Sequence, residues 1–506
     1  MKRTQIPRSS LAVAVLAATA AASPLAAQVD IGLFFQNHLD SRSRQLFGIL
    51  APLAEPADDG DYVPREDATA GERLLLGNGL TAEFVARNVA QDGDMIALWP
   101  DDAAPTHLVV CIEQGRSGTT PLGNDGLNAA VQRVELASGA VATILHGMER
   151  CDGIRRTAWG TIIASEETDD GRVYEILAPL ATTGHWVADR ATGDIRTAID
   201  GLDPSANVAQ RAALPTIAWE GIAVLESGVV IGGDELRPGD DGLDLDGGAI
   251  FKFVPEVPHA GGPIGDLDDS PLVAGPVYAL SISCREAASS DFPQYGQGCE
   301  VGVGAWVKVD AFEARADADA NGATGYYRPE DLHPDPTFEG EGVRFCWTNT
   351  GREAASHLSE VVCAEDPTPL PEAATEILDD RTGFFYLGDG AEFALAVASR
   401  FIEGDARFNS FDNLDFQPTT GILYVIEDHD FGEIFACLPD REDRDVATDG
   451  CIALASVVDP EAEPTGFIFS GDGRTAYVVI QHGEQPAELL DFASNPVDGT
   501  TDDLLR

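Results

Sequence analysis

The sequence predicts an all-β protein built as a β-propeller, and two observations support this prediction. From about Leu74 onward, short apolar runs rich in β-branched residues alternate with Gly, Pro, Asp and Asn, a pattern typical of strands joined by turns. The clearest runs are His107–Ile112, Trp159–Ala164, Ile222–Ile231, Ala249–Val254, Val301–Val309, Val343–Asn349, Ile422–Ile426 and Ala476–Ile480. Outside the N-terminal region, helical patterns are confined to 353–358 and 373–378, so short helices are expected only as insertions.

The second observation is a strand–turn–strand unit that recurs along the chain. Residues 412–428 contain two apolar runs joined by a Pro/Gly turn, residues 467–482 repeat the scheme, and residues 329–349 contain it with an insertion. Similar hairpins repeated over such a length favour propeller blades. A jelly roll or a large sandwich is the alternative, but neither would naturally repeat one hairpin. In a propeller the inner ends of the blades meet at a central channel, where residues distant in sequence come together.

The composition is strongly acidic, which limits the classes of partner. The 506 residues include 85 Asp and Glu against 32 Lys and Arg, a formal net charge of −53. Such a surface disfavours nucleic acid and anionic membranes as partners, because both carry negative charge. It favours cation binding and solubility, although a solvated surface of the kind common in proteins from salty habitats explains the excess more simply. We expect a monomer that acts on a small molecule.

The N-terminus has the features of a secretory signal peptide over residues 1–27. A basic start precedes an apolar stretch, Leu11–Ala22, and small residues around Ala26 offer a cleavage point. The apolar stretch is too short to span a membrane. We therefore expect an exported protein, periplasmic or extracellular. An N-terminal segment with an irregular loop would occupy 28–74, and a single propeller domain would occupy 75–506.

Export permits disulfide bonds, and the chain has eight cysteines. The last six fall into three closely spaced pairs that flank predicted loops, so we expect each pair to be bridged. The expected bridges are Cys284–Cys299, Cys346–Cys363 and Cys437–Cys451. Cys111 and Cys151 leave two possibilities open, a fourth bridge or a metal-bound Cys151.

Acidic residues stand where predicted strands end and turns begin. They are Glu166, Glu167, Glu220, Asp234, Glu235 and Glu330. Carboxylates gathered from several strand ends repel one another unless a cation neutralises them. Oxygen ligands of this kind suit hard metal ions, and Arg328 beside Glu330 indicates an anionic substrate. Pro329 lies between these two residues and predicts an extended conformation for Arg328.

In these motifs the chain resembles the PhoX-type alkaline phosphatases, a family of exported bacterial enzymes, over roughly residues 75–485. The matching pieces, in the family's order, are His107-Leu-Val-Val-Cys-Ile-Glu113; Cys151-Asp-Gly with Thr157-Ala-Trp-Gly-Thr and Ser165-Glu-Glu; Glu220 with Gly233-Asp-Glu and Ala249-Ile-Phe-Lys-Phe-Val-Pro; Gly322-Ala-Thr-Gly with Arg328-Pro-Glu; Asp412-Asn-Leu; and Gly471-Asp-Gly-Arg with Ile480-Gln-His. Each motif alone is weak, but the whole set in one order is specific.

The resemblance implies a six-bladed propeller whose central site holds calcium and iron and hydrolyses phosphate esters. Carried over by motif, the metal ligands would be Glu166, Glu167, Glu220, Asp234, Glu235 and Glu330. Arg328 would bind the substrate phosphate through its planar fork and would form the catalytic pair with Glu330. Further candidate ligands of lower rank are Glu113, Cys151, Asp412, Asn413 and Asp428. The last three also suit turns within a blade.

One departure from the family motif concerns the metal. The cysteine that precedes two glutamates in the family is Ser165 here, and a serine oxygen serves iron less well than a thiolate does. The sequence therefore favours calcium over iron. Two other functions stay open: a non-catalytic, calcium-stabilised propeller that binds a ligand or a protein, and a lactonase-type propeller hydrolase with a single central calcium.

Overall fold

The computed structural model describes residues 31–65, 67–117, 127–197, 203–238, 247–282, 300–351, 358–370, 372–373, 391–392, 394–439, 450–460, 462–482 and 501–506. The predicted signal peptide and the predicted Cys284–Cys299 bridge lie outside these residues. So do the helix candidates at 353–358 and 373–378, apart from Leu358 and Ala373.

The described residues are mostly strands, with two α-helices and three 3-10 turns. The helices are α1 (Ile31–Leu46) and α2 (Ala314–Ala320), and the 3-10 turns are Ala70–Glu72, Leu267–Asp269 and Pro271–Val273. The strands are β1 (Leu74–Leu76), β2 (Phe84–Ala90), β3 (Gly93–Trp99), β4 (His107–Ile112), β5 (Val131–Glu135), β6 (Val141–His146), β7 (Cys151–Arg156), β8 (Thr161–Glu166), β9 (Val173–Leu177), β10 (His185–Asp189), β11 (Asp194–Arg196), β12 (Val208–Gln210), β13 (Trp219–Val224), β14 (Val230–Asp234), β15 (Ile250–Phe253), β16 (Val277–Ser281), β17 (Gly302–Val309), β18 (Pro329–Pro334), β19 (Val343–Asn349), β20 (Glu360–Asp366), β21 (Glu372–Ala373), β22 (Ala391–Glu392), β23 (Ala396–Glu403), β24 (Phe411–Phe416), β25 (Leu423–Glu427), β26 (Glu433–Cys437), β27 (Cys451–Val457), β28 (Ala462–Phe469), β29 (Ala476–His482) and β30 (Thr501–Leu505).

These strands form six four-stranded blades. Counted from the channel outward, the blades are β3-β4-β5-β6, β7-β8-β9-β12, β13-β14-β15-β16, β18-β19-β20-β23, β24-β25-β26-β27 and β28-β29-β30-β2. β10 and β11 extend the first blade, β1 extends the fifth, and β17 joins the third blade to the fourth in one nine-stranded sheet. The structure therefore confirms the predicted propeller and its six blades.

The first strand of each blade lines the channel. β3, β7, β13, β18, β24 and β28 each pack against the first strands of the two neighbouring blades, so the six strands close a ring. Apolar side chains fill the space between blades. Between the second and third blades, for example, Trp159, Trp219 and Phe251 belong to one buried cluster. The ring brings the starts of six strands that are far apart in sequence to one end of the channel.

The last blade combines strands from both ends of the described chain, and buried ion pairs hold them together. β2 pairs with β30, and Asp503 in β30 is fully buried beneath three arginines. Arg65 donates to its carboxylate from Nη2 at 3.0 Å, Arg87 from Nε at 3.0 Å, and Arg73 Nε lies 3.4 Å away. Burial raises the pKa of Asp503, but the hydrogen bonds and charges of Arg65 and Arg87 outweigh it and lower the pKa overall.

We expect Asp503→Asn to lower the free energy of unfolding by about 3–5 kcal/mol, because it leaves buried guanidinium groups without their counter-charge. The matched control is Glu83→Gln, which removes the exposed Glu83–Arg506 pair of the same blade and should cost about 0–1 kcal/mol. Urea unfolding measures both values.

Because the folded pKa of Asp503 is lowered, its contribution to stability is present at neutral pH and is lost as the pH falls through that pKa. The variant should therefore lose less stability than the wild type between neutral and acidic pH, and equal losses would contradict this account.

Three disulfide bonds are present in the described residues: Cys111–Cys151, Cys346–Cys363 and Cys437–Cys451. Cys346 stands directly opposite Cys363 in the β19–β20 pair, and Cys437 stands opposite Cys451 in the β26–β27 pair. Both predicted bridges are thus confirmed. The alternative left open for Cys111 is also decided, since its sulfur is bonded to Cys151.

Two local predictions differ from the structure. The run Ile222–Ile231 was expected to be one strand, but it contains the end of β13, a turn and the start of β14. The turn is Glu226-Ser227-Gly228, where Gly228 has a φ of 91°, and the long apolar runs on both sides outweighed this short polar signal. Helix α2 was also missed, because its Ala-Asp alternation has the two-residue period of a strand. Ala314 and Ala318, one helical turn apart, are its buried residues.

The helices in the described part of the chain were compared with the length and hydropathy of a membrane span. None of them is long and apolar enough to cross a membrane.

Candidate metal and phosphate site

In five of the six channel-lining strands, a buried carboxylate lies at a register shift near the start of the strand. The second residues of β3, β7, β13, β18 and β24 are Asp94, Asp152, Glu220, Glu330 and Asp412, and all five are buried. At this point each strand has a shift in register with its neighbour, which marks a β-bulge. A bulge re-aims the side chain it carries. The same irregularity, repeated in five blades, therefore gathers one carboxylate from each of them at the end of the channel.

The residue just before the channel-lining strand has an unusual backbone conformation in four blades. Asp92, Arg150, Arg328 and Ser410 have positive φ angles of 62°, 51°, 56° and 56°. The sequence predicted an extended Arg328, so that prediction was wrong. The cause is tertiary, because the Arg328 N–H donates to Leu236 and its carbonyl accepts from Thr350. Strained backbone of this kind persists only where surrounding contacts hold it, and it is common at functional sites.

The second strands of the blades end in acidic pairs whose two members face different surroundings. β8 ends at Glu166 and is followed by Glu167, and β14 ends at Asp234 and is followed by Glu235. Successive residues of an extended chain point to opposite sides. As a result Glu167 and Glu235 reach the channel end, where an oxygen of each lies within 4.8 Å of an oxygen of Glu220.

Glu166 and Asp234 point into the blades instead. Glu166 accepts hydrogen bonds from the backbone N–H of Glu149 at 2.8 Å and from Arg190 Nη2 at 2.9 Å. Asp234 accepts from Arg315 Nε at 2.7 Å and from the backbone N–H of Ala218 at 2.9 Å. Both were predicted to be metal ligands. The structure places neither of them in the acidic groups at the channel end, because strand alternation turns them away.

Within the described residues, three groups of carboxylates remain at the channel end, each with one oxygen per residue within 4.8 Å of the others. They are Asp94–Glu113–Asp152, Glu167–Glu220–Glu235 and Glu220–Glu330–Asp412. Glu220 belongs to two of the groups. Of the predicted ligands, Glu167, Glu220, Glu235 and Glu330 therefore come together, and the lower-ranked Glu113 and Asp412 join them.

The other lower-ranked candidates have different surroundings. Asp428 lies beside Glu463 of β28 and contributes to raising its pKa, so both border the acidic groups. The Asn413 side-chain oxygen accepts from the Gly466 N–H at 2.5 Å, which occupies it structurally. Cys151 was considered as a metal ligand, and the disulfide with Cys111 corrects this, because its sulfur cannot serve as a thiolate.

The electrostatics of the channel end oppose so many ionised carboxylates. Burial, and then the charges of neighbouring acids, raise the pKa values of Asp94, Asp152, Glu220 and Asp412 well above the ordinary range. For Glu235, burial raises the pKa, but Glu167 and Arg328 outweigh it and lower the pKa. The carboxylates can all be ionised together only if positive charge is supplied.

The residues present fit a bound cation. Asp152 is 2% exposed, and its Oδ1 is a buried oxygen without a hydrogen-bond partner among the described residues. An unpartnered buried carboxylate oxygen is costly, and a cation would satisfy it. All the donors in the three groups are carboxylate oxygens, the ligands that calcium prefers. Asp94, Glu113 and Asp152 could hold one ion, and the two groups that share Glu220 could hold others.

Two arginines border these groups. Arg328 donates from Nε to Glu235 at 2.5 Å, and its Nη2 lies 2.9 Å from Glu330. Arg150 donates from Nη2 to Glu167 at 2.6 Å and also pairs with Glu113. Burial lowers the pKa of each guanidinium, but the surrounding carboxylates outweigh it and raise the pKa, so both arginines stay charged.

Sequence reasoning missed Asp94, Asp152, Glu463 and Arg150. Asp94 and Glu463 lie in strands without a matching motif, and the motif Cys151-Asp-Gly drew attention to its cysteine and not to Asp152 or the preceding Arg150. A signal was nevertheless available. An acid as the second residue of the first strand had been singled out at Glu220 and Glu330, and aligning all the blades on that position would have found Asp94 and Asp152.

Fold and site together define a class, a six-bladed propeller with an acidic, arginine-bordered centre at one end of its channel. The family model described as alkaline phosphatase PhoX matches residues 126–484, more than half of the chain. The chain belongs to the PhoX alkaline phosphatase family and is an enzyme that hydrolyses phosphoric esters. A search of the curated proteins found no match.

Solved structures agree with this fold. PhoX from Pseudomonas fluorescens, in complex with vanadate, a transition-state analogue, is 16% identical to the chain. The match covers 89% of this chain and 96% of that one with a TM-score of 0.51, which supports the shared fold. A gluconolactonase from Xanthomonas campestris is 12% identical over 90% of this chain and 99% of its own, with a TM-score of only 0.37.

Proposed function

We propose that this protein is an exported, calcium-dependent phosphatase whose metal ions are held by the three acidic groups and whose substrate phosphate is bound by Arg328. The observation that carries the proposal is the sharing of Glu220 between two acidic groups, beside an arginine that contacts a member of each. That arrangement supports an anion-binding role for Arg328 beside a centre that holds more than one cation.

The residues of the chain divide the work between holding cations and orienting the phosphate. Arg328 is 16% exposed and is clamped between Glu235 and Glu330, so its guanidinium plane is held before substrate arrives. Glu330 is itself held by the Thr350 hydroxyl. Calcium bound at the carboxylates would supply charge neutralisation for the phosphoryl group and activation of the attacking water. Pre-orientation of Arg328 reduces the reorganisation needed during the reaction.

Several further features support parts of the proposal. Three disulfides suit an oxidising compartment outside the cytoplasm, periplasmic or extracellular. Ser165 is fully buried and donates to the Gly153 carbonyl at 3.0 Å, so it serves the fold and supports calcium over iron. The acidic surface supports a small phosphate ester, and not a nucleic acid or a membrane, as the partner of a monomer.

The experiment is hydrolysis of para-nitrophenyl phosphate by the purified full chain, with elemental analysis of the same preparation. We expect calcium as the main bound metal and activity that a chelator removes and added calcium restores. The unfolding temperature should fall on chelation, because ions that bind only the folded state stabilise it. Activity insensitive to the chelator, or no activity with any metal, would contradict the proposal. Iron near one equivalent or more would correct the assignment of the metal.

A further inference from the structure

We propose that Arg150 is a second phosphate-binding residue of this centre, and that Arg150 and Arg328 together select the doubly charged end group of a phosphate monoester. The inference rests on the proposed phosphatase function and adds to it a residue that the sequence motifs did not indicate.

The two arginines occupy equivalent places in the fold. Arg150 immediately precedes β7 in the second blade, and Arg328 immediately precedes β18 in the fourth. Both have positive φ angles, 51° and 56°. The third blade lies between them and contributes Glu220 and Glu235 to the acidic groups. The same backbone geometry therefore delivers one guanidinium from each side of the third blade to the channel end.

The contacts of the arginines meet at one pair of carboxylates. Arg150 binds Glu167 through Nε at 3.0 Å and Nη2 at 2.6 Å, and Arg328 binds Glu235 through Nε at 2.5 Å. An oxygen of Glu167 in turn lies within 4.8 Å of an oxygen of Glu235. The order across the centre is thus Arg150, Glu167, Glu235 and Arg328. The two guanidinium groups are therefore separated by a single pair of neighbouring carboxylates.

Each guanidinium keeps donors that the protein does not use. Among the described residues, neither Arg150 Nη1 nor Arg328 Nη1 has a hydrogen-bond partner, since their contacts involve Nε and Nη2. The Arg150 side chain is 46% exposed and the Arg328 side chain 16%, so ligand can reach them. Cations bound at Glu167 and Glu235 would also weaken the hold of these carboxylates on the arginines. Both effects favour an anion between the two forks.

The number of charges determines the class of anion. At neutral or alkaline pH a phosphate monoester has a terminal group with two negative charges and three oxygens free to accept hydrogen bonds. A diester has one negative charge and two such oxygens. Two planar forks can engage the monoester fully, whereas the diester leaves one of them without a charged partner. The second guanidinium therefore gains more from the monoester.

The test compares Arg150→Gln and Arg150→Lys with the wild type at saturating calcium. The substrates are para-nitrophenyl phosphate and bis(para-nitrophenyl) phosphate, and inorganic phosphate serves as the inhibitor. Arg196→Gln, which removes an arginine of a surface pair with Asp194, is the matched control and should behave as the wild type. Calcium content is measured for every variant.

For Arg150→Gln we expect KM for the monoester and the inhibition constant of phosphate to rise about ten- to a hundredfold, the effect of losing a charge-assisted hydrogen bond. The kcat should change less than KM, and diester kinetics should change by less than about threefold. Arg150→Lys should recover part of the loss, because it keeps the charge without the fork. Calcium content should stay at the wild-type value.

Two results would overturn the inference while leaving the proposed function intact. One is unchanged monoester kinetics and unchanged phosphate inhibition in Arg150→Gln. The other is a changed calcium content, which would make Arg150 a counter-ion for Glu113 and Glu167 rather than a ligand for phosphate. A wild-type protein that neither hydrolyses the monoester nor binds inorganic phosphate in the presence of calcium would overturn the proposed function, and the inference with it.

Discussion

Glu220→Gln is expected to lower kcat/KM for a phosphate monoester by at least about a thousandfold, because calcium ions that supply several kcal/mol of charge stabilisation depend on this one residue. Glu220 contributes an oxygen to both the Glu167–Glu235 group and the Glu330–Asp412 group. Glutamine keeps the size of the side chain but not its charge. Both groups should therefore lose calcium affinity together, which elemental analysis and a calcium titration would measure.

The same substitution should not damage the fold. Burial, and then repulsion from neighbouring acids including Glu330, opposes ionisation of Glu220, so removing its charge relieves strain in the calcium-free protein. Urea unfolding in the presence of a chelator should give a free energy equal to or above the wild-type value. Glu226→Gln, on an exposed turn of the same blade, is the control and should change neither calcium content nor activity. Wild-type calcium content and activity in Glu220→Gln would contradict the proposed centre.

The second prediction with a large expected effect assigns different roles to two adjacent residues, Glu166 and Glu167. Glu167→Gln should lose calcium and activity, because its carboxylate lies with Glu220 and Glu235. Its stability without calcium should stay near the wild-type value. Glu166→Gln should do the reverse and lower the free energy of unfolding by about 2 kcal/mol, because it removes the buried partner of Arg190. We place the loss below the range for a fully buried pair because Arg190 keeps its contact with exposed Asp170.

The pair of variants is its own control, since the substitution is chemically the same at neighbouring positions. Calcium titration and urea unfolding are carried out on both proteins. We expect Glu167→Gln to lose calcium affinity but not stability, and Glu166→Gln to lose stability but not calcium affinity. Equal loss of calcium in the two variants would show that both side chains reach the metal, as the sequence motif had implied. Equal loss of stability with unchanged calcium binding in both variants would show that neither does.

Much of the fold could be predicted because strands and turns are local features. The runs His107–Ile112 and Val343–Asn349 coincide with β4 and β19, and the hairpin at 412–428 contains β24 and β25. The prediction failed at Ile222–Ile231, where the short polar turn Glu226-Ser227-Gly228 divides two apolar runs into separate strands. Apolar character alone does not show where a buried chain reverses direction.

The candidate site could be predicted only in part, because a local pattern does not show which residues of other blades become its neighbours. Glu220 and Glu330 were found because they stand in recognisable motifs, and the structure brings them together. Asp94 and Asp152 stand at equivalent positions, but Asp94 has no motif and Asp152 lies in one that pointed to Cys151 instead. Their importance depends on neighbours contributed by other blades, which a local pattern does not contain.

The sequence by itself determined that the chain makes short strands and hairpins and carries acids at the ends of those strands, because each of these properties depends on neighbouring residues. Only the tertiary structure decided which acid of each pair faces the channel, since that depends on strand alternation relative to a closed ring. It also decided the conformation of Arg328, through contacts with Leu236 and Thr350, and it placed Arg150 beside Glu113 and Glu167. These outcomes depend on residues that are distant in the chain and become neighbours only when the blades close around the channel.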